Sequence, residues 1–287
     1  MPRTPSPFEP LIDAVESAEA LDGIGKAVGK KVRSLVKQPA KDALAGTWLG
    51  HALHPLLTDV VIGTFLSATL LDVVGGDEDG NAGAKLIGVG MAAYLPTALS
   101  GVSDWADTEP VDDGIRRAGL VHAWSNATAL ALYALSLKAR KSGNRGRARA
   151  FSLAGASALG AAGFLGGHLT FAKGVGPDQT VYDAGPDEWT EAAAELQEGK
   201  PTRVVVDETP VMLLREGGSL YALHDRCSHR GCSLADGELD GLEVVCACHG
   251  SRFDLRDGSV KQGPATAPQP AFETRERDGR IEIRRTG

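Results

Sequence analysis

Cysteine is scarce in this sequence, and most of the chain has none. The four cysteines all fall between Cys227 and Cys248. Cysteines that only fill a hydrophobic core would be scattered along the chain, so this clustering predicts a metal site, a disulfide or both. An excess of positive charge is also missing. The net charge of -7 gives no support to nucleic-acid binding, and we expect no nucleic-acid partner.

The N-terminal part lacks an early apolar run. Because residues 1–10 are polar and rich in proline, we expect no secretory signal peptide. Over residues 1–45, apolar residues recur at helical spacing with lysines between them, which predicts a basic amphipathic lead-in helix. The apolar positions are Leu21, Ile24, Val28, Val32 and Leu35. Such a helix either lies on an anionic membrane surface, with lipid as its partner, or packs on its own protein.

Charged residues are rare in four long segments that follow the lead-in. The segments are 49–74, which is interrupted by Asp59, 86–103, 118–137 and 150–172. About 20 apolar residues cross the hydrocarbon core of a bilayer, so the pattern predicts a four-helix transmembrane bundle over residues 46–173. Gly163 and Gly167 form a small-xxx-small pair that permits close helix contact. The alternative is a soluble bundle of alanine-rich helices.

The C-terminal part has a different period. Residues 174–187 form a linker rich in Gly, Pro and Asp. After the linker, short apolar runs alternate with turn residues, which predicts a small antiparallel all-β domain over residues 188–287. The predicted strands are 203–206, 211–214, 220–223, 243–246, 252–255 and 280–284. The expected fold class is therefore α+β multidomain, with the four-helix transmembrane bundle preceding the β domain.

Two short motifs in the β region combine thiols with imidazoles. The first is Cys227-Ser-His229, and the second is Cys246-Ala-Cys248-His249. A [2Fe-2S] cluster with two Cys ligands on one iron and two His ligands on the other can take one Cys and one His from each motif. A Cys/His zinc site uses the same donor types, so zinc is the alternative.

Around these motifs the sequence resembles the Rieske [2Fe-2S] family, over about residues 185–285. The resemblance also rests on Gly231, Gly250, Ser251 and the run Gly263-Pro264-Ala265. It implies three loops around one Rieske-type cluster per chain, with Gly263 and Pro264 in the third loop, and it disfavours zinc. The implied cluster ligands are Cys227, His229, Cys246 and His249.

Within this family, the chain looks like the subgroup that includes the Rieske subunits of the cytochrome bc complexes. That resemblance implies a disulfide between Cys232 and Cys248, and a hydrogen bond from Ser251 to a bridging sulfide of the cluster. High-potential members have a tyrosine where this chain has Phe253. We therefore expect a reduction potential below that of the respiratory subunits and above that of plant-type ferredoxins.

Rieske domains also occur in ring-hydroxylating oxygenases, which carry a separate iron bound by two histidines and a carboxylate. Outside the two motifs, the β region has His224 as its only histidine. We expect His224 to be a surface loop residue, and the sequence predicts no oxygenase domain.

Ionisable residues in the predicted membrane domain are candidates for function by default. If the helices alternate in direction, the histidines of this domain all lie near the face to which the β domain is attached. The candidate membrane site is His54, Asp59, His122 and His168. Histidines from two helices of a bundle can ligate a haem b, bind a metal or contact a quinone. The alternative is a structural role at the helix ends.

The helical part also resembles an uncharacterised four-helix membrane-domain family. The resemblance rests on His54-Pro55, Gly101, Asp104, Gly166-Gly167 and Gly174-Val-Gly. It supports the topology and implies no activity, because that family has none assigned.

These features predict a multi-pass protein of the cell membrane that transfers single electrons to or from a redox partner protein or a quinone. One alternative is a quinol oxidoreductase that uses a haem or quinone site in the membrane domain, and another is a non-catalytic redox sensor. Basic residues are nearly balanced between the two sides and no twin-arginine signal is present, so we place the Rieske domain on the cytoplasmic side. The sequence indicates no particular oligomeric state.

Overall fold

The computed structural model describes residues 7–76, 80–183, 185–192 and 195–286. The chain divides into two compact units. One contains the residues up to Lys37 together with Leu53–Val175, and the other contains Gln38–Ala52 together with the residues from Gly176 onward. Parts of the predicted lead-in (1–6), membrane domain (77–79), linker (184) and β domain (193–194 and 287) lie outside the described residues.

The first unit is helical, and polar side chains mark where two of its helices begin. Asp112 accepts a hydrogen bond from the N–H of Ile115 at 2.8 Å, and Asn144 accepts one from the N–H of Arg147 at 3.1 Å. Side chains in this position satisfy N–H groups that the first helical turn leaves free. The helices of this unit are α1 (Glu9–Glu16), α2 (Asp22–Leu35), α4 (Leu53–Val74), α5 (Gly80–Thr108), α6 (Asp113–Lys141) and α7 (Arg145–Gly167), and α3 (Ala40–Ala45) belongs to the other unit.

The core between the long helices combines aromatic packing with hydroxyl pairs. The ring of Phe65 on α4 stacks on Tyr133 of α6, with ring centroids 4.1 Å apart. The hydroxyl of Tyr133 lies 2.7 Å from that of Thr69, and both side chains are buried. Because a buried hydroxyl without a partner is costly, this pair fixes how α4 and α6 face each other.

Many apolar side chains on the outside of the helical unit are exposed in the part of the chain that the structure describes. Examples on α4 are Leu56, Val60, Leu66, Leu70 and Val73, each at least 42% exposed. An extended apolar surface of this kind is typical of a membrane or protein contact. It fits the predicted membrane domain.

Three helices among the described residues are long and apolar enough to cross a membrane. They are Leu53–Val74, Asn81–Thr108 and Arg145–Ala172, the last including a π-helical turn at its end. The remaining predicted span, 118–137, lies in α6, where His122 and Asn126 interrupt the apolar sequence. The helical character of this region is confirmed, and the count of four spans stays a prediction.

Helix α2 of the predicted lead-in packs on its own unit. Its buried Gly25 lies directly against the side chain of Arg116, and Asp22 forms two 2.8 Å hydrogen bonds with Arg117. The absence of a side chain at Gly25 is what permits the close approach to Arg116. These contacts support the packed interpretation of the amphipathic helix.

The second unit contains the β region, and its antiparallel architecture confirms the sequence prediction. The strands are β1 (Thr190–Glu191), β2 (Thr202–Val206), β3 (Thr209–Glu216), β4 (Ser219–His224), β5 (Glu238–Asp240), β6 (Glu243–Val245), β7 (Arg252–Asp254), β8 (Val260–Gln262), β9 (Ala271–Arg277) and β10 (Arg280–Arg285). They form two sheets, with strand orders β1-β10-β9-β4-β3-β2 and β5-β6-β7-β8.

Connections between and within the sheets create three loops at one end of the β region. The first links β4 of the large sheet to β5 of the small one, the second joins β6 to β7, and the third returns from β8 to β9. An apolar core lies behind them and includes Met212, Leu223 and Phe253 together with two cysteines, Cys227 and Cys246. The core thus extends directly to the loops that carry the Cys and His motifs.

Candidate functional site

The first loop folds around a short hydrogen-bonded turn. The N–H of Cys227 donates to the carbonyl oxygen of Cys232, and the N–H of Gly231 donates to that of Cys227, both at 2.8 Å. Gly231 has φ = +77°, a left-handed conformation that glycine adopts without steric cost. The turn presents the thiol of Cys227 and the imidazole of His229.

The second loop repeats this main-chain geometry. The N–H of Cys246 donates to the carbonyl oxygen of Ser251 at 2.8 Å, and the N–H of Gly250 donates to that of Cys246 at 2.9 Å. Gly250 has φ = +76°. Because the two turns are alike, each places a cysteine at its base and a histidine, here His249, further out.

A disulfide joins the two loops. Cys232 and Cys248 are bonded, with their Cα atoms 6.5 Å apart, and the predicted pairing is confirmed. The sulfurs of Cys232, Cys248 and Cys246 lie within 4.8 Å of one another. Two of these three sulfurs are in the disulfide and cannot act as thiolates, so this group by itself is not a metal site.

The other two cysteines are free and lie side by side between the loops. Cys227 is 1% exposed and Cys246 is 2% exposed. The hydrogen bond between the two thiols raises the pKa of Cys227 and lowers the pKa of Cys246 to about 6. One sulfur of the pair is therefore readily available as a thiolate, the form that binds metals.

The two histidines of the motifs face each other at the outer side of this pair. The ring centroids of His229 and His249 are 5.0 Å apart and the rings are nearly perpendicular. The Nδ1 atom of His229 is buried and has no hydrogen-bond partner among the described residues. Burial and the neighbouring His249 lower the pKa of His229 well below its usual value, so the ring is neutral. A free imidazole nitrogen beside two free thiols fits a Rieske-type cluster.

Gln269, a residue outside the predicted site, supports the first loop by hydrogen bonds to its main chain. Its side-chain oxygen accepts from the N–H of Ser228 at 2.9 Å, and its side-chain nitrogen donates to the carbonyl oxygens of His224 and Arg226, both at 2.6 Å. Gln269 is 1% exposed. No local signal in the sequence marks this residue, because its partners lie far away along the chain.

His224 is not a surface loop residue, and that expectation was wrong. It ends strand β4 and is fully buried, with its Nε2 3.0 Å from a carboxylate oxygen of Asp183. Burial alone would raise the pKa of Asp183, but the hydrogen bond from the Thr209 hydroxyl and the nearby His224 imidazole outweigh burial and lower it. The error arose because a strand-end histidine can point into the core, which the sequence pattern does not indicate.

The remaining predicted residues lie on the inner side of the loops. The Ser251 hydroxyl is fully buried, and its oxygen accepts a hydrogen bond from the N–H of Ala265 at 3.0 Å. Gly263 and Pro264 are buried in the third loop. Phe253 lies in the core cluster that also contains the free cysteines.

Two of the predicted membrane-site residues, His54 and His122, have the same kind of main-chain partner. His54 Nδ1 lies 3.0 Å from the carbonyl oxygen of Thr97, and His122 Nδ1 lies 2.8 Å from that of Ala162. Each Nδ1 must therefore donate, which leaves each Nε2 as an acceptor. Asn126 Nδ2 lies 3.1 Å from the Nε2 of His122. The two imidazoles are close enough to interact electrostatically.

The other two residues of the predicted membrane site have different surroundings. Asp59 is exposed and follows His54 by five positions, which places it about 140° away around the helix. His168 Nε2 lies 2.7 Å from a carboxylate oxygen of Glu16. The structure therefore places His54 and His122 near enough to interact, whereas Asp59 lies on another face of its helix and His168 is paired with Glu16.

Two protein families match the chain over separate ranges. The Rieske [2Fe-2S] domain family matches residues 189–273, and DUF2231, a family of predicted membrane proteins, matches residues 50–179. The anthranilate 1,2-dioxygenase ferredoxin subunit of Burkholderia cepacia is 34% identical over 98 residues, which are 33% of this chain and 91% of that protein. Sulredoxin of Sulfurisphaera tokodaii is 32% identical over 102 residues, which are 33% of this chain and 94% of that protein.

Among solved structures, one similar chain is the ferredoxin of carbazole 1,9a-dioxygenase from Nocardioides aromaticivorans IC177. It is 31% identical, with a TM-score of 0.33, and the match covers 35% of this chain and 100% of that one.

Proposed function

The chain belongs to the Rieske [2Fe-2S] family, and on this premise we propose that it is a membrane-anchored protein that transfers single electrons. The family and the dioxygenase ferredoxin subunits among its relatives establish an electron-transfer Rieske protein. The match to a predicted membrane protein family and the three long apolar helices support an anchor in the membrane.

We assign the cluster ligands to Cys227, His229, Cys246 and His249. The cluster, when bound, accepts and returns one electron at a time. The buried cysteines hold its inner side, whereas the half-buried histidines stand on the side that a redox partner can approach. Neutral imidazoles in place of two thiolates lower the negative charge that the protein contributes, which favours the reduced state.

The observation that carries this assignment is the free Nδ1 of His229 beside two free thiols. A buried donor atom without a protein partner is a candidate metal ligand, and the His229 imidazole together with the two thiols has the donor types of a Rieske site. The adjacent cysteine pair is in a disulfide and therefore serves to hold the loops.

Spectroscopy and metal analysis of the detergent-purified chain test the assignment. We expect roughly two irons and two acid-labile sulfides per chain, with a Rieske absorption spectrum that bleaches on reduction. Cys227→Ser and His249→Ala should each abolish this spectrum, whereas Cys232→Ser, the matched control at the disulfide, should keep much of it. Zinc without iron in the wild-type protein would refute the proposal.

We further propose that residues 46–173 form the membrane domain, joined by the linker 174–187 to the Rieske domain at 188–287 on the cytoplasmic side. The electron partner is then a redox protein or a quinone that reaches the histidines at that side. Protease treatment of sealed inside-out and right-side-out vesicles tests the orientation. For a cytoplasmic Rieske domain, we expect cleavage in the linker only in inside-out vesicles. Cleavage only in right-side-out vesicles would place the Rieske domain on the outer side.

A second candidate function, a quinol oxidoreductase, is supported by the pair His54 and His122. Each Nδ1 is held by a main-chain carbonyl, which fixes the ring and leaves Nε2 as the acceptor, as in metal-ligating histidines. Glycines lie directly against both rings, Gly101 against His54 and Gly166 against His122. A fixed imidazole with an acceptor Nε2 is what a haem iron or a quinol hydroxyl requires, and at His122 either one would replace Asn126 as the partner of Nε2.

The absorption spectrum separates the two functions. Sharp α and Soret bands that disappear in His122→Ala but persist in His168→Ala would support a haem between His54 and His122. A spectrum with iron–sulfur features alone removes the haem and leaves quinone contact. Quinone binding would then be tested by titrating the wild type and His54→Ala with a short-chain quinol while following cluster reduction.

A further inference from the structure

A segment from the N-terminal half of the chain belongs to the compact unit of the β region. Gln38–Ala52, which includes α3, is grouped with the residues from Gly176 onward. It makes side-chain hydrogen bonds to the third loop, although more than 200 residues separate the partners. The Rieske relatives match other parts of the chain, so the family resemblance does not account for this segment.

Both main-chain polar groups of Gly263 are bound by this segment. The N–H of Gly263 donates to the Asp42 carboxylate at 2.9 Å, and the carbonyl oxygen of Gly263 accepts from Gln38 Nε2 at 3.1 Å. A hydrogen bond to a carboxylate is about twice as strong as one between neutral groups. The third loop is therefore held at Gly263 by two side chains that lie within a few residues of each other.

The contact has no room for a larger residue. A Cβ atom at Gly263 would lie 2.8 Å from Asp42 Oδ1 and would also overlap the hydroxyl oxygen of Thr47. Thr47 itself donates to the carbonyl oxygen of Ala265 at 3.3 Å. Close packing and hydrogen bonds thus act on the same short stretch, from Gly263 to Ala265.

The restrained third loop is connected to Ser251 by a hydrogen bond. The N–H of Ala265 donates to the Ser251 hydroxyl oxygen at 3.0 Å, and both residues are fully buried. With its oxygen accepting from Ala265, the Ser251 hydroxyl has its hydrogen left to donate. Where that hydrogen points depends on the position of Ala265, which Thr47 and Gly263 help to set.

We propose that Gln38–Ala52 is a positioning element of the cluster site, which orients the Ser251 hydroxyl by holding the third loop through Asp42, Gln38 and Thr47. The proposal rests on the proposed function, in which the residues around Ser251 enclose a Rieske cluster. A hydrogen bond from Ser251 to the cluster stabilises the reduced state, so loosening the third loop lowers the reduction potential.

The test compares Asp42→Ala with Asp42→Asn in the full-length, detergent-purified protein. Both variants remove the negative charge, but asparagine keeps an oxygen that accepts from Gly263. The difference between the two therefore reports the hydrogen bond and not the charge. We expect a lower midpoint potential in Asp42→Ala than in Asp42→Asn, altered EPR g-values, and cluster loss to an iron chelator that is about fivefold faster.

A double-mutant cycle tests the route through Ser251. In a Ser251→Ala background, the difference in midpoint potential between Asp42→Ala and Asp42→Asn should disappear. An equal difference in both backgrounds, or none in the wild-type background, would overturn the proposal. Thr47→Val, which replaces the hydroxyl with a methyl group, should also lower the midpoint potential. It is the substitute test variant if Asp42→Ala does not fold.

Asp236→Ala is the control for a general effect of removing an acid from this unit, because Asp236 is an exposed loop residue. Its potential and its rate of cluster loss should match the wild type. If the wild-type protein shows a Rieske spectrum while Asp42→Ala and Asp42→Asn have the same potential and the same rate of cluster loss, only the positioning role fails. If the wild type has no cluster, the proposed function itself fails.

Discussion

Cys232 and Cys248 are bonded to each other from two turns with the same main-chain hydrogen-bond pattern. The bond links the outer parts of the loops, whereas the free pair Cys227 and Cys246 lies at their base. Each loop therefore carries one disulfide cysteine in its outer part and one free cysteine at its base.

Removing the disulfide should loosen the cluster more than it unfolds the domain. A disulfide with a sequence separation of 16 stabilises by at most about 3 kcal/mol, and the sheets and their core do not depend on it. In Cys232→Ser/Cys248→Ser, we expect cluster loss to a chelator at least tenfold faster, with the far-UV circular dichroism retained. Loss of the β-sheet signal together with the cluster would contradict this prediction.

Phe253→Tyr should raise the reduction potential. Phe253 lies in the same buried cluster as Cys227 and Cys246, so a hydroxyl at its ring tip can donate toward a cysteine sulfur. If this hydrogen bond is about 1 kcal/mol stronger in the reduced state than in the oxidised state, the reduction potential rises by roughly 40 mV. Protein-film voltammetry measures the shift. Phe272→Tyr, in the other core cluster of this unit, is the control and should leave the potential unchanged.

The carboxylate of Asp254 should stabilise the small sheet over a pH range that follows from its pKa. Asp254 is 2% exposed and accepts two hydrogen bonds from the Arg256 side chain, at 2.8 and 2.6 Å. These bonds, which outweigh the opposing effect of burial, lower its pKa below the usual value of 3.8. The stabilisation of the small sheet by the ionised Asp254 carboxylate is therefore complete above about pH 4 and is lost as the pH falls further.

Hydrogen–deuterium exchange of peptides covering Arg252–Gln262 measures this effect. Asp254→Asn should exchange faster than the wild type, with an equal difference in opening free energy at pH 7 and pH 5. Comparing the two proteins at each pH removes the intrinsic pH dependence of exchange. A difference that already shrinks between pH 7 and pH 5 would show that another group is responsible. Asp236→Asn is the exposed control.

Glu109 and Arg116 should contribute strongly to the stability of the helical unit. Their side chains are 2% and 4% exposed, and Arg116 Nε lies 2.8 Å from Glu109 Oε2. Glu109→Gln removes the charge buried against Arg116 and leaves it with the more exposed Asp22 and Asp113 as acidic partners, so we expect a cost of about 1.5–3 kcal/mol. Thermal unfolding in detergent, followed by helical circular dichroism, should shift to a clearly lower temperature.

Asp113→Asn provides the matched comparison for Glu109→Gln. Asp113 also pairs with Arg116, but its side chain is 62% exposed, so water screens the interaction. We expect a loss below about 1 kcal/mol. If both variants melt at the same temperature, burial does not govern this ion-pair network.

Much of the site was predictable because its chemistry is local. Cys227-Ser-His229 and Cys246-Ala-Cys248-His249 bring unlike donors within a few residues, and a turn of that length has few ways to fold. The alternation of short apolar runs located β2, β3, β4, β6, β7 and β10 for the same reason. Long runs with few or no charged residues located α4, α5 and α7 as apolar helices.

Local sequence patterns thus specify the donor set, the strands and the helices, since periodicity and residue type act over neighbouring positions. Three other features depend on how the chain packs: the support of the first loop by Gln269, the burial of His224, and the contact of Asp42 with Gly263. These contacts join residues far apart in sequence. Their formation depends on how whole elements pack, because no pattern within a short window specifies which distant carbonyl or N–H a side chain will meet.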